Sequence, residues 1–175
     1  MVTATSSLSF PGSSRSFAPL GVGTWAWGDK STWGMGGYDT GISEATIAEA
    51  FDASLEAGVT LFDTAEVYGD GESERIIGRL LKGDPARRER ALIATKFMPA
   101  PWKLNVRTAL RSALEASLER LGVDRVDLYQ LHEPDPSTRI SDTLGVLTEL
   151  VVAGKVVEIG CSNFSAEQLR EAADV

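Results

Sequence analysis

The chain has 175 residues, 43% of them hydrophobic and 24% charged, the balance of a single globular domain with its own core. That balance and a lone cysteine, Cys161, exclude disordered, collagen-like and disulfide-stapled classes, and no apolar run reaches the roughly 18 residues of a membrane helix. A formal net charge of -8 argues against nucleic acid and anionic membrane as partners, and the single cysteine fits a reducing compartment, so a cytoplasmic location is expected.

Residues 1–17 are rich in serine, hold no acidic group and carry one basic residue, Arg15. They read as a disordered lead into a domain over residues 18–175. The alternative is the remnant of a transit peptide, which would place the protein in a plastid. Short runs rich in Val, Ile and Leu then recur over residues 20–23, 59–62, 92–95, 126–131 and 156–160, and these read as strands. The starts of the last four lie 33, 34 and 30 residues apart.

The stretches between them carry helical stripes. Ile47, Phe51 and Leu55 form the first; Leu110, Leu114, Leu118 and Leu121 the second; Leu144, Leu147 and Val151 the third. Ser43 suits the first N-cap, Gly58 and Gly154 suit helix ends, and Ser165 with Gln168 matches a capping box that starts a further helix.

Strands joined by helical crossovers are parallel. Two architectures remain, an open doubly wound sheet and a (β/α)8 TIM barrel. Gly21-x-Gly23 runs into Thr24-Trp25-Ala26-Trp27 rather than a helix, a poor dinucleotide fingerprint. A whole barrel takes about 250 residues. The chain therefore reads as an incomplete barrel of about five βα units, whose open edge invites self-association. The long first interval holds Gly28, Gly34, Gly36, Gly37 and Gly41 with Trp25, Trp27 and Trp33. It is either a binding rim with aromatic walls or an ordinary loop that plugs the barrel mouth.

Polar residues stand at or just after the strand ends: Asp63 with Tyr68 five residues on, Lys96, His132, then Ser162 and Asn163. In a parallel barrel these ends converge on the face where active sites form. Singly, a buried Asp reads as structurally paired and a His as a satisfied core residue. Four titratable groups at three successive ends read as a site. A tyrosine titrates near 10, and a nearby Lys ammonium favours its phenolate. Asp63 would hold Lys96, and His132 would donate to a carbonyl or relay a proton, so the set can protonate an oxygen as a carbonyl becomes an alcohol. Cys161 sits in an apolar strand end and reads as packed. One His and one Cys offer no metal set. No side chain here donates hydride, so a redox cofactor must.

The run Phe62-Asp63-Thr64-Ala65-Glu66-Val67-Tyr68-Gly69 resembles the signature of the aldo-keto reductases. Similar to that family too are Thr95-Lys96, Asp127-Leu128-Tyr129-Gln130-Leu131-His132 with Pro134-Asp135, and Gly154-Lys155-Val156 running to Ile159-Gly160-Cys161-Ser162-Asn163-Phe164. Gly23-Thr24-Trp25-Ala26-Trp27-Gly28 looks like the plant and bacterial branch that includes pyridoxal-reductase-like proteins. The resemblance implies a (β/α)8 barrel that reduces an aldehyde or ketone, a small-molecule carbonyl substrate, with NADPH. By that likeness Tyr68 is the general acid, Lys96 and Asp63 tune it, and His132 orients the carbonyl. Ser162 and Asn163 would hold the nicotinamide carboxamide, with Gly23, Thr24 and Trp25 beside the nicotinamide and substrate. Two features depart from the family. Glu133 stands where many members carry an aromatic residue, and the later strands that grip the cofactor phosphates have no counterpart here. Arg87, Arg88 and Arg90 read as a solvated face. The competing readings are an inactive, self-associating half-barrel and a regulatory or channel-associated subunit with the reductase fold.

Overall fold

A computed structural model describes residues 7–28 and 42–175 of the chain. Its first element falls within residues 1–17, the segment expected to be disordered. Strands β1 (Leu8–Ser9) and β2 (Ser16–Phe17) pair antiparallel as a short hairpin. Arg15 anchors it. The guanidinium donates to Asp127 Oδ1 at 3.2 Å, to the Glu89 carbonyl at 2.8 Å and to the Ala91 carbonyl at 2.9 Å. Asp127 Oδ2 in turn accepts the Ile93 N–H at 2.8 Å. These partners lie just before the strand that opens at Leu92 and at the start of the strand that opens at Val126, so the hairpin caps the N-terminal ends of the strands. The composition of the segment is polar; one long side chain reaching a buried carboxylate orders it nonetheless.

The other elements alternate as the repeat requires: β3 (Gly21–Gly23), α1 (Glu44–Glu56), β4 (Leu61–Asp63), α2 (Glu72–Gly83), α3 (Pro85–Arg90), β5 (Leu92–Phe97), α4 (Val106–Leu121), β6 (Val126–Leu131), α5 (Ile140–Val152), β7 (Val156–Cys161) and α6 (Ala166–Ala173). The five long-range strands form one parallel sheet in the order β3-β4-β5-β6-β7. That order decides between the two architectures. A doubly wound sheet reverses direction at a switch point; here every crossover adds the next strand on the same side, which is the winding of a (β/α)8 barrel. Among the described residues five strands of that barrel are present, with β3 and β7 at the edges.

The register runs Gly23, Asp63, Ala94, Leu128, Glu158 across the sheet, and Lys96 pairs with Gln130 and Gln130 with Gly160. Side chains alternate along a strand, so Asp63, Lys96 and Gln130 share one face. The opposite face carries Phe62, Ile93 and Tyr129, which pack in one core with helix residues such as Phe51, Leu114 and Leu147. Phe51 stacks on Phe62 at 4.0 Å between centroids, and burying each such ring contributes about 1.5–3 kcal/mol.

The first two stripes bury as spaced, and Ser43 and Ser165 both complete capping boxes. The third stripe is shifted. Val146, Leu147 and Leu150 are buried in α5, whereas Leu144 and Val151 are only partly so. Helix α2 has an apolar face of Ile76, Ile77 and Leu81 diluted by charges, which hid it from the stripe pattern. Its Gly78 lies against α4: a Cβ there would collide with the Arg120 carbonyl oxygen. Among the described residues no helix is long and apolar enough to cross a membrane.

Candidate active site

Strand β4 ends on Asp63, and the backbone beyond it keeps pairing with β5: Thr64 N–H donates to the Ala94 carbonyl at 2.8 Å and Glu66 N–H to the Lys96 carbonyl at 3.3 Å. The chain then turns through Asp70 and Gly71, both at positive φ, into α2. That turn brings Tyr68 back over the sheet. Lys96 lies inside β5, one residue before its end, and is 5% exposed. Its ammonium donates to Asp63 Oδ2 at 2.6 Å, the Thr64 carbonyl at 2.8 Å and Tyr68 Oη at 3.3 Å. Three donors meet three acceptors, so the buried charge is fully partnered. The other carboxylate oxygen of Asp63 accepts from Gln130 Nε2 at 3.1 Å.

His132 follows β6 and donates its backbone N–H to the Phe97 carbonyl at 2.8 Å. Its ring stands edge-on to Tyr68, 5.6 Å between centroids at 83°. Burial, and then the charge of Lys96, hold its pKa below the usual 6.5, so the imidazole is neutral at pH 7. Its Nδ1 is buried and has no hydrogen-bond partner among the described residues. Tyr68 and His132 together with Trp25, Val67 and Met98 line a cavity of about 330 Å³.

The residues expected near a cofactor divide. Asn163, at φ +60, donates from Nδ2 to the His132 carbonyl at 2.8 Å and to Ser162 Oγ at 3.2 Å, which sets both beside His132. Gly23 lies next to Asp63 in register, with no atom within 4 Å of where its Cβ would be. Trp25 is 41% exposed and forms a cavity wall. Thr24 is held inside the fold. It is fully buried, its backbone N–H and hydroxyl both donate to the Asp63 carbonyl at 2.9 and 3.1 Å, and the hydroxyl lies 2.8 Å from Ser73 Oγ. That hydroxyl helps to position the Asp63 backbone.

The sequence model of the aldo/keto reductase family matches residues 19–175. The chain belongs to that family. Its aldo/keto reductase relatives include the aldo-keto reductase YhdN of Bacillus subtilis, 42% identical over 86% of this chain and 44% of that protein. The chloroplastic pyridoxal reductase of Arabidopsis thaliana is 36% identical over 88% of this chain and 44% of its own length. Among solved aldo/keto reductases, one from Klebsiella pneumoniae in complex with NADPH superposes with a TM-score of 0.78 at 28% identity, covering 95% of this chain and 52% of that one. The glycerol dehydrogenase AKR11B4 of Gluconobacter oxydans gives 0.79 at 32% identity, over 98% and 53%. The chain thus spans about half the length of the relatives it matches.

Other expectations resolve around this site. Trp27 is a core residue packed on Phe51 and Phe62, not part of a rim; Trp33 and Gly34, Gly36, Gly37 and Gly41 lie outside the described residues. In the basic cluster Arg90 is exposed and Arg87 half-buried; Arg87 pairs with Asp52 at 2.6 Å, and Arg90 donates to the Leu55 carbonyl. Cys161 is half-buried and burial pushes its thiol up. Among the described residues no group of His, Cys, Asp and Glu could hold a metal. Gln130 escaped the sequence reading because a polar residue inside an apolar strand looks like a packing compromise. Its register opposite Lys96 was the signal. A larger groove of about 1050 Å³ lies between α2 and α4 on the outer surface, away from these groups.

Proposed function

We propose that the protein carrying this chain reduces an aldehyde or ketone to an alcohol with NADPH, Tyr68 giving the proton. The Lys96 ammonium carries this reading: it bridges Asp63 at 2.6 Å and Tyr68 Oη at 3.3 Å, at the wall of a cavity shared with His132. A carbonyl oxygen between Tyr68 and His132 would take its proton from the phenol, and the adjacent ammonium would offset the charge left behind. Neutral His132 would hydrogen-bond the same oxygen and fix its direction. Asp63, held by Gln130 and through its backbone by Thr24, keeps the ammonium in place.

The donor set fits a nicotinamide cofactor, and a relative was solved with NADPH. With the Asn163 Nδ2 spent on the His132 carbonyl and Ser162 Oγ, the Ser162 hydroxyl and the Asn163 Oδ1 offer a donor and an acceptor for a carboxamide. They would hold that group, with bare Gly23 and the Trp25 wall beside it. When bound, NADPH supplies the hydride for the carbonyl carbon.

In the protein that carries this chain, Tyr68→Phe should lower carbonyl-dependent NADPH oxidation by roughly 10²–10⁴-fold, the worth of a general acid, and leave NADPH binding intact. Full activity in that variant would sink the reading.

A further inference from the structure

Glu66 lies two residues before Tyr68 and takes no part in the chemistry above. Its surroundings are specific. Its carboxylate Oε1 accepts the Met98 N–H at 2.7 Å and the Lys103 ammonium at 2.7 Å. The same ammonium donates to the Met98 carbonyl at 2.7 Å and sits 4.3 Å over the Phe97 ring. The side chains of Glu66 and Lys103 are 13% and 22% exposed. Met98 is the first residue past β5, where the sheet no longer supplies partners: the last rung is the Phe97 carbonyl, taken by His132. Both backbone polar groups of Met98 are nevertheless satisfied, one by each member of the Glu66–Lys103 pair.

The pair therefore closes a ring around one residue, and that residue lines the cavity. Glu66 is also tied to β5 through its backbone N–H on the Lys96 carbonyl at 3.3 Å. Its neighbour Val67 lines the cavity too. Glu66 thus holds the β4–α2 loop and the β5–α4 loop at a fixed separation, with Val67 on one side and Met98 on the other. Three of the five cavity residues, Trp25, Val67 and Met98, are apolar.

We infer that Glu66, with Lys103, is a positioning residue that sets the width of an apolar substrate pocket, so that the protein selects carbonyl compounds bearing an apolar substituent sized to the gap between Val67 and Met98. This rests on the carbonyl-reductase reading for its substrate and on the clamp geometry alone for its structure.

The test uses Glu66→Ala, Glu66→Gln and Lys103→Met with two readouts. In the first, a short and a bulky apolar aldehyde are compared as substrates of the protein that carries this chain. Glu66→Ala and Lys103→Met should raise KM for the bulky aldehyde about tenfold, the size of a pocket contact, with kcat for the short one held within about twofold. Glu66→Gln, which still accepts from the Met98 N–H, should recover most of the loss. A uniform fall in kcat for both aldehydes would overturn the inference, since Glu66 would then act on Tyr68. Unchanged KM values in all three variants would overturn it as well. The second readout is hydrogen exchange at the Met98 amide of this chain, which needs no activity. Exchange should be slow in the parent and in Glu66→Gln and fast in Glu66→Ala; equal rates in all would overturn the clamp. Slow exchange in a protein that reduces no carbonyl would sink the reductase reading and the pocket role that rests on it, with the clamp standing as structure alone.

Discussion

His132 is the one histidine in the chain, so its titration can be followed without ambiguity. Burial first and the Lys96 charge second keep it deprotonated. The imidazole proton resonances should therefore show a midpoint below 6.5, and Lys96→Met should move that midpoint upward. A midpoint above 6.5 in the parent would contradict the geometry. The sign for stability follows from linkage. Between the folded and unfolded values the unfolded chain binds the extra proton, so this residue's contribution is present above 6.5 and is lost as pH falls through the lower folded value. Asp63, Tyr68, Lys96 and His132 were legible because titratable types rarely end three successive strands, and the structure brings them into contact. The Gly23-Thr24-Trp25 run looks exposed at a strand end, and only the fold shows the Thr24 hydroxyl turned toward Ser73. Glu66 could not be read at all: its partner Lys103 lies 37 residues away.

Strand and helix positions were more readable than their limits. Strand β6 begins and ends where its apolar run does, while β4 starts two residues late because Val59 N–H is drawn back to the Ser54 carbonyl at 2.9 Å, extending the close of α1. Helix α2 was missed since its inward face includes a fully buried acid. Glu74 accepts from Thr95 Oγ1 at 2.6 Å and from Arg120 at 2.6 Å, a buried pair that no hydrophobic period reveals. The hairpin failed for the same reason, as one residue, Arg15, orders it. Arg15→Ala should free the hairpin and cost about 1–3 kcal/mol in urea unfolding, as expected for hydrogen bonds to a charged group. An unchanged unfolding midpoint would show that the hairpin docks without it.

The sequential order of five parallel strands makes the C-terminal strand ends converge, and this brings the candidate site residues together. The hairpin occupies the opposite end, so the Arg15 anchor and the candidate site lie at the two ends of the sheet. Parallel pairing and the βα repeat were legible from periodicity alone. The winding was not, since an open sheet and a barrel share the same local pattern until the strand order is known. The central proposal is that a hydride reaches a carbonyl carbon beside Tyr68. The most direct measurement is the mass of the alcohol formed by the protein carrying this chain when it is given NADPH deuterated at the transferring carbon. Hydride transfer to that carbon gives an alcohol heavier by one deuterium on the carbinol carbon. An alcohol without deuterium would contradict it.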